Sequence, residues 1–451
     1  MFVLAFLLLL SLTAGCSASR SGEKDSPRTV RIACCDEMTF QSFYRDIFAS
    51  YFPNWEIEYI PVFSPSGAGL LQAVNPDDPE ELLKRLEREK PDLLIVPEYW
   101  FRHLVKAELL MELAGLSNRD SSVLNGLEPG VLERLRTIGE GKLYGASAFF
   151  AADAIYYNAD LFREAGVPLP EGPMTWREVL TLARRFAVPG RSEEDPVGLH
   201  MLRVTDSPYD LAMRIAGTEG LRLADPQSGD LKLQTGSWGE VFRLVTEAYR
   251  NGTVASVPIS GRETDSGVVI YPEDMKRANL FLQGKAAMTV GGPDLMQDLK
   301  AAVSFELGVV PGPVHTHLPD AVGGFALGDI FAIPATSGQP EAAWEAMRFF
   351  LSERMGQISA RLAGTFHIRP YVFARSKYPV WIGDPDYAVF YGMRPAPKPE
   401  NPLEENAQER FAASFRELFN QEVQAVLRDE KTEEEALGRI ESEGSALLAS
   451  S

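Results

Sequence analysis

GKLYGASAFFAADAIYYNADLFREAGVPLPEGPMTWREVLTLARRF, residues 141–186, decides how this 451-residue chain is read. A glycine-bounded turn leads into an apolar strand through Tyr156 and Tyr157. A short helix, a proline-rich loop and a second helix follow without interruption. Thr175 and Glu178, three residues apart, form a capping box at the start of that second helix. Nothing in the segment has the pattern of a catalytic group. Outward from it, strand-like and helix-like stretches alternate, which predicts an α/β chain with mostly parallel sheet. Residues 30–34 and 55–62 read as strands. A helix over 39–51 is predicted by Phe40, Phe43, Ile47 and Phe48 at helical spacing. Asp78 and Pro79 open another helix with Leu82, Leu83 and Leu86 on its inner stripe. PDLLIVP, residues 91–97, reads as a short strand covered on both faces. Residues 340–353 read as one helix with Trp344, Met347 and Leu351 on one side, and Thr432 with Glu435 makes a second capping box.

The beginning of the chain has a different character. Residues 1–15 carry no charge and are apolar over 2–12, too short for the roughly 20 residues a bilayer crossing needs but suited to a signal-peptide core. They end at Thr13-Ala14-Gly15-Cys16. The Ser-, Gly- and charge-rich residues 17–27 suit a flexible tether. The chain holds 44 basic and 63 acidic residues, a net charge of −19. That excess argues against nucleic acid, whose binding needs basic surface to replace counterions. After Cys16 only Cys34 and Cys35 remain, which gives no disulfide framework.

The order YYNADLF, GxPxP, TWREVL in residues 141–186 resembles the signature segment of bacterial extracellular solute-binding proteins of family 1, the maltose-binding-protein-like receptors of ABC importers. FLQGKAAMTVGGPDL (281–295), FELGVVPGP (305–313) and AIPATSGQPEAAWEAMRFF (332–350) resemble later family segments in the same order. The end of the signal stretch is similar to a lipoprotein signal in which Cys16 is acylated. It departs from that pattern in having threonine where leucine is usual and no Lys or Arg ahead of the apolar core. The resemblance implies a two-lobed periplasmic-binding-protein-like fold with a ligand cleft between lobes joined by several hinge crossings. Carried onto this chain, residues 1–15 are the signal peptide and 16–27 the tether. Lobe one is then 28–148 plus 325–365, and lobe two 149–324 plus 366–451.

Candidate ligand residues follow from the loops the family uses. Asp36 and Glu37 follow the first strand, as acceptors for a hydroxyl- or amine-bearing solute or as ordinary acids at a helix N-terminus. Glu98, Tyr99 and Trp100 follow PDLLIVP, where a ring can stack on a sugar while a carboxylate takes hydroxyls; Trp100 packing the next helix is the alternative. Phe149 and Phe150 stand near the expected first crossing, at least one of them as hinge core and not as a ligand contact. Ser207-Pro208-Tyr209 matches a family turn whose tyrosine stacks on ligand, with Asp206 beside it as acceptor or helix cap. Asp294 stands where sugar-binding members carry tryptophan, which opens the way to an amino sugar or other cationic solute, or else makes it a helix cap. Gly323, Gly324, Phe325 and Asp329 fall at the second crossing, and Arg369 at the third, as a ligand donor or an interlobe ion pair.

Other signals are weaker. His315 and His317 form a pair with no third ligand nearby, and Gly139 to Lys142 lack the spacing of a phosphate loop. No nucleophile elbow or zinc-protease motif occurs. The implied function is therefore binding, not catalysis, with no cofactor and no metal. The expected protein is a monomeric lipoprotein, held at the outer face of the cytoplasmic membrane through Cys16. It would capture a small polar solute, first of all a saccharide, for ABC permease subunits. A lipoprotein that reports ligand to a membrane kinase, or an extracellular enzyme acting on carbohydrate, are the rival readings.

Overall fold

The computed structural model describes residues 28–34, 37–61, 79–119, 123–188, 192, 195–201, 207–225, 228–255, 257, 262–264, 267–269, 271–362, 371–398 and 409–449. Expectations resting on residues 1–27, Cys35, Asp36, Asp78, Asp206 and Arg369 lie outside them. The chain forms two compact units: one of residues 1–96, 109–111 and 332–349, the other of 97–108, 112–331 and 350–451.

In the first unit, Arg28–Cys34 pairs in parallel with Trp55–Pro61, Val30 opposite Ile57, and with Leu93–Val96 on its other side. Val30, Ile32, Cys34 and all four residues 93–96 are buried, as expected where helices cover a parallel sheet on both faces. The helix expected over 39–51 is present but not uniform. Glu37–Phe40 runs into a π-helical turn, Gln41–Arg45, and then Asp46–Tyr51. The wider turn suits a buried face set by Phe40, Tyr44 and Phe48, spaced four apart. Phe48 meets Trp55 and Phe349 edge-on at 5.6 and 5.7 Å. The single helix expected over 340–353 divides instead into Pro340–Phe350 and Glu353–Leu362. Ser352 is the cause, since its hydroxyl accepts from the Met355 N–H at 3.2 Å and begins a new helix.

The second unit is built around a four-stranded sheet in the order Leu307–Pro311, Ala154–Asn158, Ala286–Gly291, Val197–Leu199. Ala154–Asn158 runs antiparallel to both neighbours. Trp176, Phe162, Phe242, Phe415 and Phe419 are buried in the core beside it. Thr175 forms the expected capping box: its hydroxyl accepts from the Glu178 N–H, while the Glu178 carboxylate takes the Thr175 N–H at 2.8 Å. The box at Thr432 and Glu435 forms in the same way at the head of Glu433–Ala449. A smaller sheet places Phe149–Ala151 between Ala326–Leu327 and Val372–Phe373, antiparallel to both. Three segments whose extremes, Phe149 and Phe373, lie 224 residues apart thus meet edge to edge. Val314–His315, Leu318–Val322 and Arg394–Pro395 form a third sheet.

Because each cap satisfies helix N–H groups that have no partner within the helix, Thr175→Ala is expected to cost about 1 kcal/mol. Urea unfolding measures it; an unchanged midpoint would show that the cap contributes nothing.

Candidate functional site

The second unit encloses a cavity of about 500 Å³ lined by Ala151, Asp153, Met213, Arg214, Thr218, Gly292, Asp294, Gly323, Gly324, Phe325, Tyr371 and Lys398, among others. Asp153 sits in the two-residue step between Phe149–Ala151 and Ala154–Asn158. Its N–H donates to the Gly323 carbonyl at 3.1 Å and its own carbonyl accepts from the Gly312 N–H at 3.0 Å. Its carboxylate, 8% exposed as a residue, accepts from Arg214 Nη1 at 3.2 Å. Gly324 has φ +65°, and a Cβ there would lie 2.3 Å from the Asp153 carboxyl carbon. Only glycine gives both that backbone and that space.

Arg214 and Thr218 stand one turn apart on the Pro208–Thr218 helix, so they share a face. Thr218 is buried and fully engaged: its hydroxyl donates to the Arg214 carbonyl and accepts from Trp176 Nε1, both at 3.0 Å. A Cβ on Gly323 would come within 2.2 Å of that hydroxyl. The tryptophan of the TWREVL segment therefore backs the cavity wall without entering it. Across the cavity Asp294 opens the Asp294–Ala302 helix in its first turn, where the dipole favours an acid. The Tyr156 hydroxyl donates to the Gly292 carbonyl at 2.7 Å. Burial pushes the Tyr156 phenol well above its usual range, and the nearby Asp294 charge adds to the shift.

Among the sequence candidates, Asp294 and Phe325 line this cavity. Phe150 is 0% exposed and lies beneath it, stacked on Phe325 at 5.4 Å and edge-on to Tyr391. Trp100 is 1% exposed and meets Tyr99 edge-on, so it presents no face to a solute here. Packing into the hydrophobic interior is what an amphipathic helix asks of a residue at that position. Tyr209 heads the same helix as Arg214 but packs edge-on to Phe415 and Phe419, with Arg416 over its ring at 5.3 Å. Asp329 contributes its carbonyl to the Ser147 hydroxyl. Glu37 is exposed in the first unit and accepts from Gln41 at 2.8 Å.

Glu98 is the clearest electrostatic centre outside the cavity. Its carboxylate takes Arg102 and Arg134, each at 2.5 Å. Burial alone would raise its pKa, but the two guanidinium groups outweigh that and bring it down to about 2. This carboxylate is occupied with holding helices together.

Asp153, Arg214, Tyr371 and Lys398 were missed by the sequence reading. One signal was available: Asp153 is the lone charge within the apolar run FFAADAIYY. A carboxylate there must find a partner when buried. Arg214, Tyr371 and Lys398 carry no local signal, since their relation to Asp153 exists only in three dimensions.

The depressed Glu98 pKa sets a sign. Its contribution is fully present above the ordinary value of 4.5 and lost as pH falls toward about 2, on the order of 3 kcal/mol. The stability gap between wild type and Glu98→Gln should therefore narrow across that window in acid-titrated urea melts; a pH-independent gap would refute the assignment. Gly324→Ala is expected to destabilise the fold by roughly 1–3 kcal/mol through its positive φ and its clash with Asp153. A wild-type melting midpoint for that variant would disprove the close approach.

Residues 39–357 match the family model for bacterial extracellular solute-binding proteins. A protein of Brucella abortus (strain 2308), provisionally named a binding protein, is 27% identical over 310 residues, 67% of this chain and 68% of its own length. The sugar-binding protein MalE of Xanthomonas citri superposes with a TM-score of 0.63 at 16% identity, covering 94% of this chain and 98% of that one. A sugar transporter from Rhizobium etli in an open conformation gives 0.61 at 17% identity, over 93% and 99%. At such identities the likeness establishes the fold, that of the two-lobed solute-binding proteins. The family match extends over most of the chain, and the chain belongs to the bacterial extracellular solute-binding protein family.

Proposed function

We propose that this protein is a receptor for a neutral, polyhydroxylated solute, a saccharide in the first place, and that it passes the solute to an ABC import permease. The observation that carries the ligand class is the charge balance of the cavity. Among the described residues, two carboxylates, Asp153 and Asp294, and two cations, Arg214 and Lys398, line it. A cationic or anionic solute would bring a charge with no surplus opposite charge to meet it, and burying such a charge is costly. A neutral polyol instead uses charged groups as strong hydrogen-bond partners. Phe325, Tyr371 and Met213 supply apolar and aromatic area for the faces of sugar rings. The descriptions of the Xanthomonas protein as sugar-binding and of the Rhizobium protein as a sugar transporter agree with this class. The balance also counts against the cationic solute that Asp294 by itself suggested, because Lys398 and Arg214 accompany it.

Ligand would act as a receptor ligand must, by binding one conformation better than another and shifting the population toward it. Attachment through an acylated Cys16 to the outer face of the cytoplasmic membrane remains part of the proposal, as do a monomeric state and the lack of catalysis.

Thermal melting against a panel of neutral mono- and oligosaccharides, polyamines and amino acids tests the class, since a tight ligand raises the midpoint by mass action. A shift with neutral saccharides and none with polyamines is expected; the reverse pattern would overturn the class. Phe325→Leu should weaken saccharide binding roughly 2- to 10-fold in calorimetric titration. Tyr209→Ala, compared at equal folded fraction, should leave affinity near wild type, and a larger loss at Tyr209 would place the site elsewhere.

A further inference from the structure

We infer that the Asp153–Arg214 ion pair is the charge selector of the cavity, making its specificity for neutral solutes a property of two residues. The inference rests on the reading of this cavity as the solute site. The Asp153 backbone is held in place, because its N–H and carbonyl are both bound to glycines of neighbouring segments, and the bare Gly324 leaves room for its carboxylate. Arg214 is held from behind, since its carbonyl accepts from Thr218, which Trp176 fixes in turn. The contact is a single one, Nη1 to Oδ2 at 3.2 Å, rather than a two-pronged fork. Among the described residues this leaves the remaining guanidinium N–H donors and the second carboxylate oxygen for a solute. Adjacent hydroxyls of a polyol can donate to the carboxylate and accept from the guanidinium at the same time. A charged solute would have to displace one partner and strand the other, which is unfavourable for a pair whose side chains are only 23% and 11% exposed.

Among the described residues, removal of Arg214 leaves Asp153 and Asp294 against Lys398, so the lining becomes net negative. Removal of the Asp153 charge leaves Arg214 and Lys398 against Asp294, so it becomes net positive. Each variant should therefore exchange neutral preference for a charged one of defined sign. The experiment compares wild type, Arg214→Gln and Asp153→Asn by calorimetric titration with glucose, glucosamine and glucuronate. Wild type should favour glucose. Arg214→Gln should lose roughly 10- to 100-fold toward glucose and rank glucosamine first, and Asp153→Asn should rank glucuronate first. Folded variants that keep the wild-type order would overturn the proposal.

A second measurement needs no sugar. Arg214→Ala leaves Asp153 without its counter-ion, and methylguanidinium should raise the melting midpoint of that variant saturably. It should not do so for the Asp153→Asn/Arg214→Ala double variant. Rescue in a chain that binds none of the three sugars would support the ion pair while counting against the saccharide reading. Rescue that is equal in the double variant, or absent, would overturn the pair.

Discussion

The second unit depends on one residue step, the placement of Asp153 between two strands. Its backbone bonds to Gly323 and Gly312, and its carboxylate bonds to Arg214 on a helix more than sixty residues away. A Cβ on Gly312 would come within 2.1 Å of the Asp153 carbonyl, and one on Gly324 within 2.3 Å of its carboxyl carbon. The chain thus accommodates this one aspartate by removing side chains around it. Fixed backbone, excluded neighbours and a single cation together give a charged group one available geometry, which is the preorganisation that selective binding needs.

Buried and half-buried acids elsewhere show how differently the same problem can be solved. Glu98 holds two arginines and is driven far toward its ionised form. Glu422, 2% exposed, sits between Lys431 at 2.6 Å and Arg439 at 2.8 Å and ties the last two helices together. Glu128, 4% exposed, takes the Gly392 N–H at 2.7 Å, and burial raises its pKa against the smaller opposing pull of that bond. The first two carboxylates serve cohesion, because each takes two cations and ties a helix to its neighbour. Asp153 differs in facing a cavity, where its ion pair is reachable by solute.

Much of the architecture was legible because it is written in local chemistry. Thr175 and Glu178 mark a helix start through hydrogen bonds three residues apart, and PDLLIVP marks a doubly covered strand through its unbroken apolar run. The division of the 340–353 segment was not read, although Ser352 carries the capping chemistry that causes it. The π-helical turn at Gln41–Arg45 was not legible either, since its residues have no composition of their own and it suits packing of Phe40, Tyr44 and Phe48. Within the candidate site, Asp294 and Phe325 were reached through the loops and crossings that the family resemblance implies. Tyr209 and Trp100 were proposed by the same logic but turn their rings into the core.

The sequence by itself determined the family, the alternation of strands and helices, and the helix boundaries set by caps, because these depend on residues a few positions apart. It also pointed to the glycines at 323 and 324 and the aspartate at 294, which line the cavity. Tertiary structure alone decided which charges meet. Asp153, Arg214, Asp294 and Lys398 are spread over some 245 positions of chain and line one cavity only after the sheets form. The proposed ligand class rests on the sum of charges within a shared volume, and a sequence carries no record of which charges share it until the backbone brings them together.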